Sequence, residues 1–115
     1  MYTIDNKSYP CCTSITMKFI GGKWKAVILY HLLDGAKRYN ELRKSIPTIT
    51  ERTLSLQLKQ LEEDEIVARK VFTEKPPLVV EYELTDFGRT LLPVLEAMAK
   101  WGEESLVISK KIIKN

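Results

Sequence analysis

The sequence predicts a mainly α-helical chain carrying one small antiparallel β-hairpin, an α+β architecture held in a single domain over residues 1–115. Three observations predict it. Apolar residues recur at helical spacing in several stretches up to about residue 64, and again after residue 85. Only the stretch from Ile66 to Leu84 alternates apolar and polar residues, in two short runs. Gly21-Gly22, Asp34-Gly35 and Pro47 fall between the helical stretches as stops. A hydrophobic fraction of 44% and a charged fraction of 29% fit one soluble domain large enough for a core.

Residues 1 to about 10 are polar and end in Tyr9-Pro10, which predicts an irregular arm. A short helix follows to residue 20, with Ile15, Phe19 and Ile20 at helical spacing. Gly21-Gly22 ends it, since a glycine pair accepts positive φ and close helix approach. The next helix, Lys23 to about Asp34, has Trp24, Val27, Ile28 and Leu32 on one face, widened by Leu29 and Leu33. It should be a central core helix. Arg38 to Ile46 is short and amphipathic, and Pro47 stops it by disfavouring helix at the preceding residue.

Thr48 or Thr50 could cap the following helix. Thr48 with Glu51 has capping-box spacing, whereas Thr50 lies closer to the periodic leucines and is preferred. From about Glu51 to Asp64, Leu54, Leu58 and Leu61 form the buried stripe. The opposite face carries Arg52, Leu56, Lys59 and Glu63, flanked by Thr53, Ser55 and Gln60. Two strands then make a hairpin, Ile66–Thr73 and Leu78–Leu84, around a loop of Glu74-Lys75-Pro76-Pro77. Two helices, a tight turn and a hairpin, in that order, make a winged helix-turn-helix, about 38–64 for the helix pair and 66–84 for the wing.

Charge supports that reading. The net charge of +3 is mild, but Lys37, Arg38, Arg43, Lys44, Arg52 and Lys59 cluster on the candidate helix pair, opposed only by Glu41 and Glu51. Short hydroxyls and a guanidinium reach base edges and phosphates in a major groove, which assigns base reading to Thr50, Arg52, Thr53 and Ser55, with Leu56 the odd member. Arg38, Tyr39 and Lys59 complete the helical set, and Arg69 and Lys75 would press the wing on the phosphate backbone. A plain solvated helix face is the competing reading of the same residues.

The region about 85–115 opens with Thr85-Asp86, a cap followed by an acid. Leu91, Leu92, Val94, Leu95, Met98 and Trp101 form its apolar face, Pro93 requiring a late start or a kink. Leu106, Val107, Ile108, Ile112 and Ile113 continue apolar, more than a domain this small can bury alone. The expectation is terminal dimerisation helices, with Ile15, Phe19, Leu91, Leu95, Met98, Trp101 and Leu106 at a homodimer interface.

Other classes find little here. No apolar run reaches the roughly 20 residues of a membrane span, and the start of the chain is unlike a signal peptide, so a cytoplasmic location is expected. Cys11 and Cys12 are adjacent, and with one histidine, His31, they make no zinc spacing and no cofactor site. No phosphate loop, catalytic pairing or polar constellation for a small effector stands out, so an enzyme is not expected. A winged-helix protein-interaction module is the alternative, though it would need no basic stripe.

Several segments together resemble the HxlR-type regulators, relatives of the MarR group. They are Ile20-Gly21-Gly22-Lys23-Trp24-Lys25, Leu33-Asp34-Gly35, Arg38-Tyr39-Asn40-Glu41-Leu42, Ile46-Pro47-Thr48-Ile49-Thr50-Glu51-Arg52, Leu58-Lys59-Gln60-Leu61-Glu62, the run Pro76 to Thr85, and Trp101-Gly102. The resemblance implies a transcriptional regulator: a homodimer on an inverted-repeat operator in double-stranded DNA, its second helix in the major groove. It also makes Cys11 a redox-switch candidate, because family members often carry a cysteine shortly before the Gly-Gly pair. Packing as a small hydrophobe at the dimer interface is the alternative for Cys11. Sensors that pair this cysteine with a deeper one are set aside, as the sequence holds no third cysteine. Two departures stand out. Glu65 replaces the glycine usual after Asp64, which implies strain on the order of 1 kcal/mol if φ is positive there. Leu56 stands where relatives are commonly polar; it could meet only a thymine methyl.

Overall fold

The computed structural model describes residues 1–73 and 75–115. Glu74, first in the predicted wing loop, lies outside them. Eleven elements follow one another: β1 (Tyr2–Ile4), β2 (Lys7–Tyr9), α1 (Cys12–Ile20), α2 (Lys25–His31), β3 (Lys37–Arg38), α3 (Tyr39–Ser45), α4 (Glu51–Glu63), β4 (Val67–Val71), β5 (Val80–Leu84), α5 (Asp86–Arg89) and α6 (Leu92–Ile108).

The first ten residues are not an irregular arm. β1 and β2 pair antiparallel with Ile4 opposite Lys7, a two-residue hairpin. Its turn residues Asp5 and Asn6 sit at φ 49° and 66°, as a type I′ turn requires, and their short polar side chains tolerate that geometry. Composition suggested a loop; turn chemistry made a hairpin.

The core draws on nearly every element after these. Ile20, Ile28, Leu29, Leu32, Leu42, Ile46, Ile49, Leu54, Leu58, Leu61, Ile66, Val67, Leu84 and Leu95 form one buried cluster. The leucine stripe of α4 is in it whole. On α2 the buried face is narrower than expected: Val27 is exposed and Trp24 and Leu33 only pack against the cluster. In the turn between α3 and α4, Ile49 is buried and belongs to this cluster.

Arg38 is the N-cap of α3, its amide donating to the Glu41 carboxylate at 2.9 Å, and it is also part of a strand. It lies in β3, opposite Glu81 of β5, and a three-stranded sheet in the order β3-β5-β4 results. The unpaired edge of β5 captured the extended residues before the helix. β4 and β5 pair from Val67 with Leu84 to Val71 with Val80.

Thr85 ties this wing to the helix pair. Its hydroxyl donates to the carbonyl of Glu65 at 2.6 Å and accepts from the Gly88 amide at 2.9 Å, capping α5. Gly88 is obligatory at that corner, because a Cβ there would stand 2.1 Å from the Ile66 carbonyl oxygen. The region after Thr85 is therefore two helices, α5 and α6, with Pro93 in the first turn of α6 where its missing N–H costs nothing. Residues beyond Ile108 are not helical.

Candidate nucleic-acid interface

Helix α4 begins at Thr50, whose hydroxyl accepts the Thr53 amide at 3.1 Å. Thr48 takes no part in the cap. Glu51 adds an acid in the first turn, which the helix dipole favours. Burying Leu54, Leu58 and Leu61 turns Arg52, Ser55, Leu56 and Lys59 outward, all exposed. Thr53 is half-buried and its hydroxyl accepts from that of Thr50 at 2.9 Å, so both threonines serve the cap first.

Two further contacts hold α3 and α4 at a set angle. The Tyr39 hydroxyl donates to the Glu51 carbonyl and lies 3.0 Å from Ser55 Oγ, the two distances being equal. The Arg43 guanidinium meets the Glu51 carboxylate at 2.7 Å. Tyr39 and Ser55, both expected on DNA, are thus joined to each other. Arg43 emerges as a positioning residue that periodicity did not single out, since only the tertiary approach of Glu51 gives it a partner.

At the far end, Asp64 caps α4 and pairs with Lys18 of α1, both side chains largely covered. Glu65 follows at φ 60°, the strained position the sequence suggested, and turns the chain into β4. Arg38 is half-engaged, 4.0 Å from Glu81. On the wing, Lys70 is held by Glu83, and this contact keeps the Glu83 carboxyl below its usual range. Arg69 and Lys75 are exposed. Val71, Phe72 and Leu78 also present apolar surface near the wing tip, which alternation did not mark.

Arg52 and Lys59 make no ion pair among the described residues, unlike Arg43 and Lys70. The exposed face of α4, with Leu56 half exposed between these two, is therefore the part of the helix with no duty inside the fold.

The expected dimer residues fall in different places. Trp101 is 72% exposed, and Met98 and Leu106 are also open. Ile15 is half-buried, and Phe19 packs edge-on against Phe87, ring centroids 5.4 Å apart. Leu91 packs against the core. Leu95, at 2% exposure, belongs to this chain's own core rather than to an open face. Helical periodicity marks an apolar face without saying which part of it meets α2.

Cys11 is exposed at the N-terminal cap of α1. The Ser14 backbone N–H, then the Ser14 hydroxyl, lower its thiol below the ordinary range. Cys12 is exposed too, its Sγ 3.7 Å from the Tyr2 hydroxyl. No group of three or more potential ligands that could hold a metal exists among the described residues, and no described helix is long and apolar enough to cross a membrane.

The HxlR-like helix-turn-helix family model matches residues 19–110. An HTH-type transcriptional regulator of Bacillus subtilis (strain 168), YdeP, is 54% identical over 94 residues, covering 82% of this chain and 73% of its own. Among solved structures, the redox regulator HypR in its reduced form is similar with a TM-score of 0.80 and 47% identity, over 87% of this chain and 98% of that one. The quinone-bound YodB from B. subtilis is similar with a TM-score of 0.66 and 34% identity, over 80% of this chain and 96% of that one. The chain belongs to the HxlR-like helix-turn-helix family and is a transcriptional regulator with a winged helix-turn-helix.

Proposed function

We propose that this regulator binds an inverted-repeat operator as a homodimer, with α4 in the major groove and the β4–β5 wing on the flanking backbone. The division of α4 carries the reading: one face is consumed by the core, and the other leaves Arg52, Leu56 and Lys59 without partners among the described residues. An arginine reads guanine bidentately, Leu56 can meet a thymine methyl, and Lys59 suits a phosphate. A dimer would set two such helices about one helical turn of DNA apart.

We further propose that Cys11 makes the regulator responsive to oxidants. An exposed thiol with a lowered pKa is the reactive kind. Its position matches the resemblance to redox-responsive relatives. With diamide, two Cys11 thiols, one from each copy, lose two electrons and two protons; diamide becomes the hydrazine and one S–S bond joins the copies.

Selection of bound duplexes from a random pool, repeated with diamide, tests both. Enrichment of an inverted repeat is expected, with binding altered by diamide in the native chain and unaltered in Cys11→Ser. A pool without enrichment overturns the DNA reading; binding indifferent to diamide in the native chain overturns the switch.

A further inference from the structure

A phenolic hydroxyl carries one proton, and that of Tyr39 has two oxygens within reach. One is the Glu51 carbonyl at 3.0 Å, which can only accept. The other is Ser55 Oγ, also at 3.0 Å. With the phenol proton committed to the carbonyl, the second bond has a single sense: the Ser55 hydroxyl donates and the Tyr39 oxygen accepts. The arrangement is held from both sides. The Tyr39 ring packs against the core cluster, and the Glu51 side chain meets Arg43 at 2.7 Å.

Ser55 is thereby left with lone pairs and no free proton. It is exposed on α4, at i+3 from Arg52, so the two side chains are neighbours on the helix surface. A serine hydroxyl ordinarily serves donors and acceptors alike in a major groove. This one can only accept. Phosphate oxygens, guanine O6 and N7, and thymine O4 are acceptors themselves and have no proton to give it. The groove offers donors from two groups alone, the N6 amino of adenine and the N4 amino of cytosine. Thr53 is the contrast on the same helix: it accepts from Thr50 at 2.9 Å, and its own proton meets no partner among the described residues.

We propose that Ser55 is a specificity-determining residue that reads the amino group of an adenine or a cytosine, and that Tyr39 is the positioning residue that sets this polarity. The assignment rests on the reading that lays α4 in the major groove.

Selection of bound duplexes from a random pool, run on the native chain, Ser55→Ala and Tyr39→Phe, tests it. The native chain should enrich adenine or cytosine on one strand at a position of each half-site that Ser55→Ala no longer distinguishes. Tyr39→Phe returns the proton to Ser55, so that position should widen to guanine and thymine while the rest of the repeat is kept. On the selected duplex, purine in place of that adenine, or 2-pyrimidinone in place of that cytosine, removes the amino group. Native binding should then fall by roughly three- to tenfold, and Ser55→Ala binding should not change further. Equal losses in both chains, or an enriched repeat with no position that Ser55→Ala relaxes, would remove Ser55 from the base edge. A Tyr39→Phe chain as selective as the native one at that position would overturn the role of Tyr39. A native pool without any enriched repeat would instead remove the major-groove reading of α4 itself.

Discussion

Helices α4 and α6 are both long and both carry leucines at helical spacing, yet they end in opposite conditions. α4 buries Leu54, Leu58 and Leu61 and turns a polar, partly cationic face outward. α6, the longer, buries only Leu95 and leaves Val94, Met98, Trp101, Val107 and Ile108 in solvent. A helix whose apolar face is consumed is complete in one chain, and its outer residues are free for a polar partner. One whose apolar face stays open is unfinished, and the hydrophobic effect will drive it onto another surface. The two helices therefore suit different partners, a polyanion for α4 and a second apolar face for α6.

The contrast can be broken at its strongest point first. Leu58→Ala should cost about 2–5 kcal/mol, the range for emptying a buried leucine site, read as a lower urea midpoint. If α4 were loosely packed the loss would be far smaller. Trp101→Ala should leave that midpoint nearly unchanged when dimer and monomer are compared at equal association, but should weaken self-association by about 2 kcal/mol or more, as a central aromatic anchor does. A large stability loss in the monomer would show that Trp101 belongs to the core after all.

The outer face of α4 is tested by a smaller effect. Arg52→Ala should weaken operator binding by about 1–3 kcal/mol and relax preference at one base pair. Lys75→Ala should weaken all sequences alike and flatten the salt dependence, as a phosphate contact does. Equal effects on sequence preference would merge the two roles. The smallest change lies where α4 gives way to the wing: Glu65→Gly should raise stability by about 1 kcal/mol, since only glycine takes φ 60° without penalty. Chemical denaturation of the two proteins checks it.

Much of the helix-turn-helix was legible because its signals are local. Thr50 beats Thr48 as the cap because it adjoins the leucine period; the strain at Glu65 was expected only through the resemblance, whose members usually carry glycine there. The terminal segments were less legible. Asp5-Asn6 is a hairpin turn only if two short polar residues accept positive φ together, which composition does not reveal. Leu95 and Trp101 look alike by period, but one lies under α2 and the other does not. Arg38 had a partner in Glu81 that lies far along the chain.

By itself the sequence determined the order of helix pair and wing, the stripe of α4, its cap and the stops between helices. Those follow from backbone preference and side-chain period over a few residues. Tertiary structure alone decided that Tyr39 and Ser55 bond to each other, that Arg43 and Asp64 are engaged at the two ends of α4, and that Arg52 and Lys59 lack such partners among the described residues. It also decided which apolar residues of α6 stay uncovered. Both decisions depend on which surfaces meet, and burial and pairing are properties of contacts between segments distant in the chain.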